Sequence, residues 1–123
     1  MKTKKRILVV DDEVMLKMLL KKILIEEGYA VFCVNSGRAA IKNIKRKKFD
    51  LVLLDLEMPG IDGIKTLEII RKINRNLPVI LLSAHLTNDS IKKAVKLEVS
   101  NYIEKSFKLD EMKFAVKKVL KRR

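Results

Sequence analysis

Short apolar runs of four to six residues alternate along this chain with longer stretches of helical period, and that alternation restricts the fold more than any other feature. It argues for βα units and a parallel sheet. The runs predict strands over Arg6 to Val10, Ala30 to Asn35, Leu51 to Asp55, Pro78 to Ser83 and Asn101 to Glu104. Their near-continuous apolar character implies that helices cover both faces. The intervening stretches predict helices over about 13–27, 37–47, 63–74, 88–97 and 109–121. Gly28 is suited to stop the first helix. Asp62-Gly63 and Asn88-Asp89 are suited to start the third and fourth. Right-handed crossovers then give a doubly wound α/β sandwich with five strands and five helices, for which the commonest order is 2-1-3-4-5. With 123 residues, 48% of them apolar, the whole chain 1–123 reads as one domain with a single core.

The runs end alike. Ile7 to Val10 stops at Asp11 and Asp12, Leu51 to Leu54 at Asp55, Val79 to Leu82 at Ser83, and the run through Ile103 at Glu104 and Lys105. In a parallel sheet these carboxyl ends share one edge, and the switch point between strands 1 and 3 is where ligand is expected. Clustered carboxylates repel each other unless a cation neutralises them. All-oxygen ligands at an open edge suit Mg²⁺, with Mn²⁺ as the alternative. Asp55 stands alone at its strand end and is the nucleophile candidate, because a carboxylate can attack a phosphoryl group and form an aspartyl phosphate. Lys105 would neutralise transferred charge and Ser83 would donate a hydrogen bond. Each residue also has a plainer reading: Asp11 or Asp12 as a helix cap, Asp55 as the opening of a turn into Met58-Pro59-Gly60, Ser83 as a turn cap, Lys105 as a surface lysine. All the plainer readings together would have to coincide at one sheet edge.

Other classes fit less well. No apolar stretch is long enough to span a bilayer. The basic start Met1 to Arg6 is followed by too short an apolar run for a signal peptide, so a cytoplasmic protein without membrane partners is expected. The net charge of +13 raises nucleic-acid binding. No nucleic-acid motif and few aromatics accompany it, so nucleic acid is not expected as a partner of this domain alone. The run Lys45 to Lys48 reads as a helix end, where cations suit the dipole. Cys33 lies in a predicted strand and reads as a small buried thiol. A flavin or nucleotide binder would need a glycine-rich loop after strand 1, where Asp11-Asp12-Glu13 stands instead.

The chain closely resembles the receiver domains of two-component response regulators, of the kind found in chemotaxis and sporulation phosphorelays. The resemblance rests on Ile7-Leu8-Val9-Val10-Asp11-Asp12-Glu13, on Asp55-Leu56-Glu57-Met58-Pro59-Gly60-Ile61-Asp62-Gly63, on Ser83-Ala84, and on Tyr102 three residues before Lys105. It implies the flavodoxin-like fold, with Asp55 as the phosphoacceptor. Asp11, Asp12, Asp55 and the backbone carbonyl of Glu57 would be the metal ligands. Ser83, Lys105 and Tyr102 would form the phosphoryl-binding switch that reshapes the face of helix 4, strand 5 and helix 5. It also implies a phosphohistidine donor on a sensor histidine kinase or phosphotransfer protein, a downstream output protein or domain, and promotion by the domain of its own phosphorylation and hydrolysis.

The chain departs from the family pattern in two respects. Ser106 follows Lys105 where a proline on a cis bond is usual. A cis bond before a non-proline residue costs about 3 kcal/mol, so either a trans bond with a shifted loop or a retained cis bond is expected. Glu57 and His85, two residues after Asp55 and Ser83, are candidates for tuning phosphoryl lifetime, with solvent exposure of His85 as the alternative. On the first helix, Leu16, Leu19, Leu20, Ile23 and Leu24 form the expected core face at about 100° per residue. Val14, Met15, Met18 and Ile25 are left over, either as ordinary surface apolar residues or, as the resemblance implies for the first helix, as candidates for docking the phosphohistidine-bearing partner. On the last helix, Leu109, Met112, Val116, Val119 and Leu120 form the expected core stripe, leaving Phe114 outside it.

Overall fold

The computed structural model describes residues 3–58 and 60–121. Pro59 of the expected turn, Met1 and Lys2 of the basic start, and Arg122 and Arg123 lie outside them. The elements run β1 (Arg6–Val10), α1 (Val14–Glu26), β2 (Ala30–Val34), α2 (Gly37–Arg46), β3 (Leu51–Asp55), α3 (Gly63–Ile73), β4 (Val79–Ser83), α4 (Asn88–Lys96), β5 (Asn101–Glu104) and α5 (Leu109–Lys121). All strand pairs are parallel, as the alternation of runs predicts, and the order is β2-β1-β3-β4-β5, the common doubly wound order expected for five strands.

Successive strand residues point to opposite faces, so each central strand feeds two cores. Ile7, Val9, Leu51, Leu53, Ile80 and Leu82 pack beneath α1 and α5. Leu8, Val10, Val52, Leu54, Val79 and Leu81 pack beneath α2, α3 and α4. Burial on both faces explains why these strands are apolar at nearly every position.

Helix ends follow local chemistry. Gly28, at φ +98°, holds the left-handed turn that stops α1. The Asp62 side chain caps α3 by accepting from Lys65 N at 2.8 Å. α4 is capped one residue earlier than expected: Thr87 accepts from Ser90 N and Ser90 returns the bond, a capping box that Asn88 cannot make from inside the helix. β2 stops at Val34 rather than Asn35. β4 starts at Val79 because Pro78 has no N–H for the ladder, although its carbonyl still accepts from Val52 N at 3.0 Å.

Two expected core residues are not in the core. Leu19 is 40% exposed, because α1 is rotated so that Lys17 falls within the buried stripe with Leu20, Ile23 and Leu24. At about 100° per residue, Lys17 lies about 60° to one side of Leu20 and Leu19 about 100° to the other. The Lys17 stem is buried and its ammonium donates to Asn35 Oδ1 at the end of β2. Leu109 lies on the stripe of α5 by angle but is 38% exposed, being on the first turn at the rim of the sheet. Ala115 completes that stripe. Cys33 is partly rather than fully buried. Burial pushes its thiol up, with Lys21 and Lys17 opposing, which leaves it poorly reactive.

α3 lies close against the end of β3. A Cβ on Gly63 would sit 2.4 Å from Leu56 Cα and 2.6 Å from the Asp55 carbonyl oxygen, both backbone atoms. Gly63→Ala is therefore expected to lower the unfolding free energy by roughly 2 kcal/mol or more. Urea denaturation checks this; an unchanged midpoint would show that the close approach carries no constraint.

Candidate functional site

Strand register places the polar ends side by side. Val10 pairs with Leu54, so Asp11 follows beside Asp55. Asp55 pairs with Leu82 and Ser83 with Glu104, which sets Ser83 and Lys105 on the other flank of Asp55. Leu56 N donates to the Leu82 carbonyl and Lys105 N to the Ser83 carbonyl, both at 2.8 Å, carrying the ladder one step past the strands.

Asp11 and Asp55 share one arrangement. Each is fully buried, and each uses Oδ1 to accept the N–H two residues on, from Glu13 at 2.8 Å and Glu57 at 3.0 Å. These short turns fix the carboxyl planes and direct Oδ2 into the crevice. Lys105 Nζ lies 3.0 Å from Asp55 Oδ2 and 3.1 Å from Asp11 Oδ2. The contact to Asp11 Oδ2 lacks hydrogen-bond geometry, and that buried oxygen has no hydrogen-bond partner. The helix-cap reading of Asp11 and Asp12 is therefore only partly met. Glu13 occupies the cap position of α1 without a side-chain cap, and Asp11 satisfies one N–H with Oδ1 while Oδ2 faces the Lys105 ammonium.

One oxygen each of Asp11, Asp12 and Asp55 lies within 4.8 Å of the others, and Asp12 is exposed at the mouth. The donor set is all oxygen, it is open on one side, and it includes Asp11 Oδ2, which accepts no hydrogen bond. These features fit a hard divalent cation such as Mg²⁺ that retains waters. Electrostatics agree. Burial drives the Asp55 carboxyl from its usual 3.8 up to about 6; repulsion from Asp11 adds to this, while bonds from Lys105 and the Glu57 N–H oppose it. Burial works against the charge on Lys105, but its bonds to Glu13, Asp55 and Asp11 more than offset that and hold it above the usual lysine range.

The remaining expected residues are placed as follows. Ser83 is fully buried and its hydroxyl donates to Glu57 Oε2 at 2.5 Å. Tyr102, on edge strand β5, is 37% exposed and lines a groove of about 740 Å³ with Phe107 and Phe114 along β5 and α5. His85 is exposed; its N–H donates to Ser83 Oγ at 3.1 Å, and the residue lines a cleft between α3 and α4. Val14, Met15, Met18 and Ile25 are 63%, 78%, 64% and 46% exposed, joined by Leu19. No cis bond occurs among the described residues, so Lys105-Ser106 is trans. Sequence reasoning missed Glu13, whose Oε1 accepts from Lys105 Nζ at 2.8 Å. The three acids in a row were its one signal.

The family model for the response regulator receiver domain matches residues 7–117. Sporulation initiation phosphotransferase F of Bacillus subtilis (strain 168) is 36% identical over 115 residues, covering 94% of this chain and 93% of its own. ZraR, a transcriptional regulatory protein of Escherichia coli (strain K12), is 35% identical over 93% of this chain, which spans only 26% of that longer relative. The crystal structure of response regulator TrrA from Thermotoga maritima in complex with Mg²⁺-BeF aligns at 43% identity and TM-score 0.86, over 94% of this chain and 99% of TrrA. TrrA in complex with the histidine kinase ThkA aligns at 43% identity and TM-score 0.84, over 94% and 98%.

Because Asp55 binds its proton more tightly folded than unfolded, the parent protein gains stability as pH falls from about 6 toward 3.8. Without divalent metal at pH 8, Asp55→Asn is expected to be more stable than the parent by on the order of 2 kcal/mol. The gap closes as pH falls through that window. Urea titrations at several pH values check it; a gap that widens on acidification contradicts the assignment.

Proposed function

The chain belongs to the response regulator receiver domain family, and on that premise we propose that it takes a phosphoryl group from a phosphohistidine onto Asp55 and signals through Ser83, Lys105 and Tyr102. The observation that carries this reading is the single ammonium of Lys105 held between the buried carboxylates of Asp11 and Asp55, beside an Asp11 oxygen without a hydrogen-bond partner.

The Asp55 carboxylate attacks phosphorus, the P–N bond breaks, and the imidazole nitrogen leaves with the electron pair and takes up a proton. Attack by water on phosphorus later releases inorganic phosphate and restores Asp55. Such transfer depends mainly on positioning and on charge neutralisation. The Glu57 N–H holds the Asp55 carboxyl plane, and Lys105 supplies positive charge where the phosphoryl oxygens arrive. Asp11, Asp12, Asp55 and the Glu57 backbone carbonyl would hold Mg²⁺, which when bound balances the carboxylates and the phosphoryl oxygens. In this way the domain promotes both its own phosphorylation and its own hydrolysis without being an enzyme in the ordinary sense.

Ser83 and Tyr102 belong to neighbouring strands β4 and β5, so a new anion that draws the Ser83 hydroxyl is coupled to the face of α4, β5 and α5. That face serves a downstream output protein or domain. The apolar face of α1 starts next to Asp11 and Asp12 at Val14, continues through Met15 and Met18 to Ile25, and suits a helical kinase or phosphotransfer partner; the ThkA–TrrA complex supports a kinase as that partner. Residues 1–123 act as one receiver domain in the cytoplasm. Among the described residues no helix is long and apolar enough to cross a membrane.

Acetyl phosphate with Mg²⁺ is expected to add one phosphoryl group to the parent chain by intact-mass spectrometry, and none to Asp55→Asn or after EDTA. Equal labelling of Asp55→Asn would overturn the assignment. Met15→Glu with Met18→Glu should slow transfer from a cognate histidine kinase roughly tenfold or more while leaving acetyl phosphate labelling unchanged. Equal slowing of both would place these residues in folding or chemistry rather than docking.

A further inference from the structure

Hydrogen-bond donors on the flank of Asp55 formed by the ends of β4 and β5 are already taken by carboxylates of the chain itself. Glu57 reaches from the β3–α3 loop to the end of β4. Its Oε2 accepts the Ser83 hydroxyl at 2.5 Å and its Oε1 accepts Ala84 N–H at 2.8 Å. Glu13 takes one donor of Lys105 at 2.8 Å. Glu57 is exposed, yet both of its carboxylate oxygens are engaged, and Ser83 is fully buried beneath it. A serine hydroxyl has one proton to donate. It cannot serve the Glu57 carboxylate and a phosphoryl oxygen together, and two such anions side by side repel each other.

We propose that the Glu57 side chain is a built-in competitor for the phosphoryl group: its carboxylate holds the Ser83 hydroxyl and the Ala84 N–H until an anion on Asp55 displaces it. The inference rests on the phosphoacceptor reading above and adds a regulator to that site. Glu57 then has two separable parts. Its backbone N–H fixes Asp55, whereas its side chain opposes the switched arrangement and raises the threshold for reaching it. Release of Glu57 accompanies capture of Ser83, which makes the change two-state.

The test uses beryllofluoride, which adds no covalent phosphate, titrated into the full chain at saturating Mg²⁺ and followed by the Ala84 amide resonance. Charge-assisted bonds of this kind are strong, so Glu57→Ala is expected to lower the half-saturating concentration about five- to tenfold. Before beryllofluoride, the Ala84 resonance should shift between parent and Glu57→Ala; at saturation the two should coincide. Glu57→Gln, which keeps the shape and loses the charge, should show part of the gain. If the parent binds beryllofluoride and neither variant binds it more tightly, the competitor role is overturned while the phosphoacceptor reading stands. If the parent does not bind at all, the phosphoacceptor reading fails and this inference fails with it.

Discussion

Among the described residues, Lys105 is the one cation paired with the carboxylates of this sheet edge. Its ammonium lies within 3.1 Å of oxygens of Asp11, Glu13 and Asp55, two of which belong to fully buried residues. Isolated buried carboxylates would be strongly penalised, and one central ammonium lowers that penalty for both at once. The compensation is incomplete, as the upward displacement of Asp55 shows. A site with surplus negative charge, a buried oxygen that accepts no hydrogen bond and an open mouth is suited to a divalent cation and, through it, to an arriving anion.

The rest of the fold sets the polar strand ends around that ammonium. Two-sided burial makes the central strands rigid, and their parallel register brings Asp11, Asp55 and Ser83 to one line. The tight approach of Gly63 to Leu56 keeps α3 against the end of β3. That leaves the loop carrying Glu57 beside Ser83. The buried stem of Lys17 sets the rotation of α1 and thereby turns Met15 and Met18 toward solvent beside the carboxylates.

Much of this was legible in the chain. β1, β3 and β4 are covered on both faces, so their sequences announce them, and β5 is legible because its position after α4 compensates for a short run with only Ile103 buried. Asp11, Asp55, Ser83 and Lys105 could be read because strand ends are fixed by backbone register, and register follows from the runs. The parts that were not legible depend on the reach of long side chains. Spacing cannot show that Glu13 folds back to Lys105, or that Glu57 bridges Ser83 and Ala84, since several rotatable bonds separate those carboxylates from the backbone. The exposure of Leu19 was hidden for a related reason: a lysine whose stem counts as apolar shifted the helix face by a fraction of a turn.

The most direct measurement of the central claim is a crystal structure of this chain with Mg²⁺ and beryllofluoride. The account predicts beryllium on an Asp55 carboxylate oxygen and the metal among Asp11, Asp12, Asp55 and the Glu57 carbonyl. It also predicts that Lys105 turns from Glu13 toward a fluorine. Beryllium absent from Asp55, or a metal bound away from these carboxylates, would contradict it.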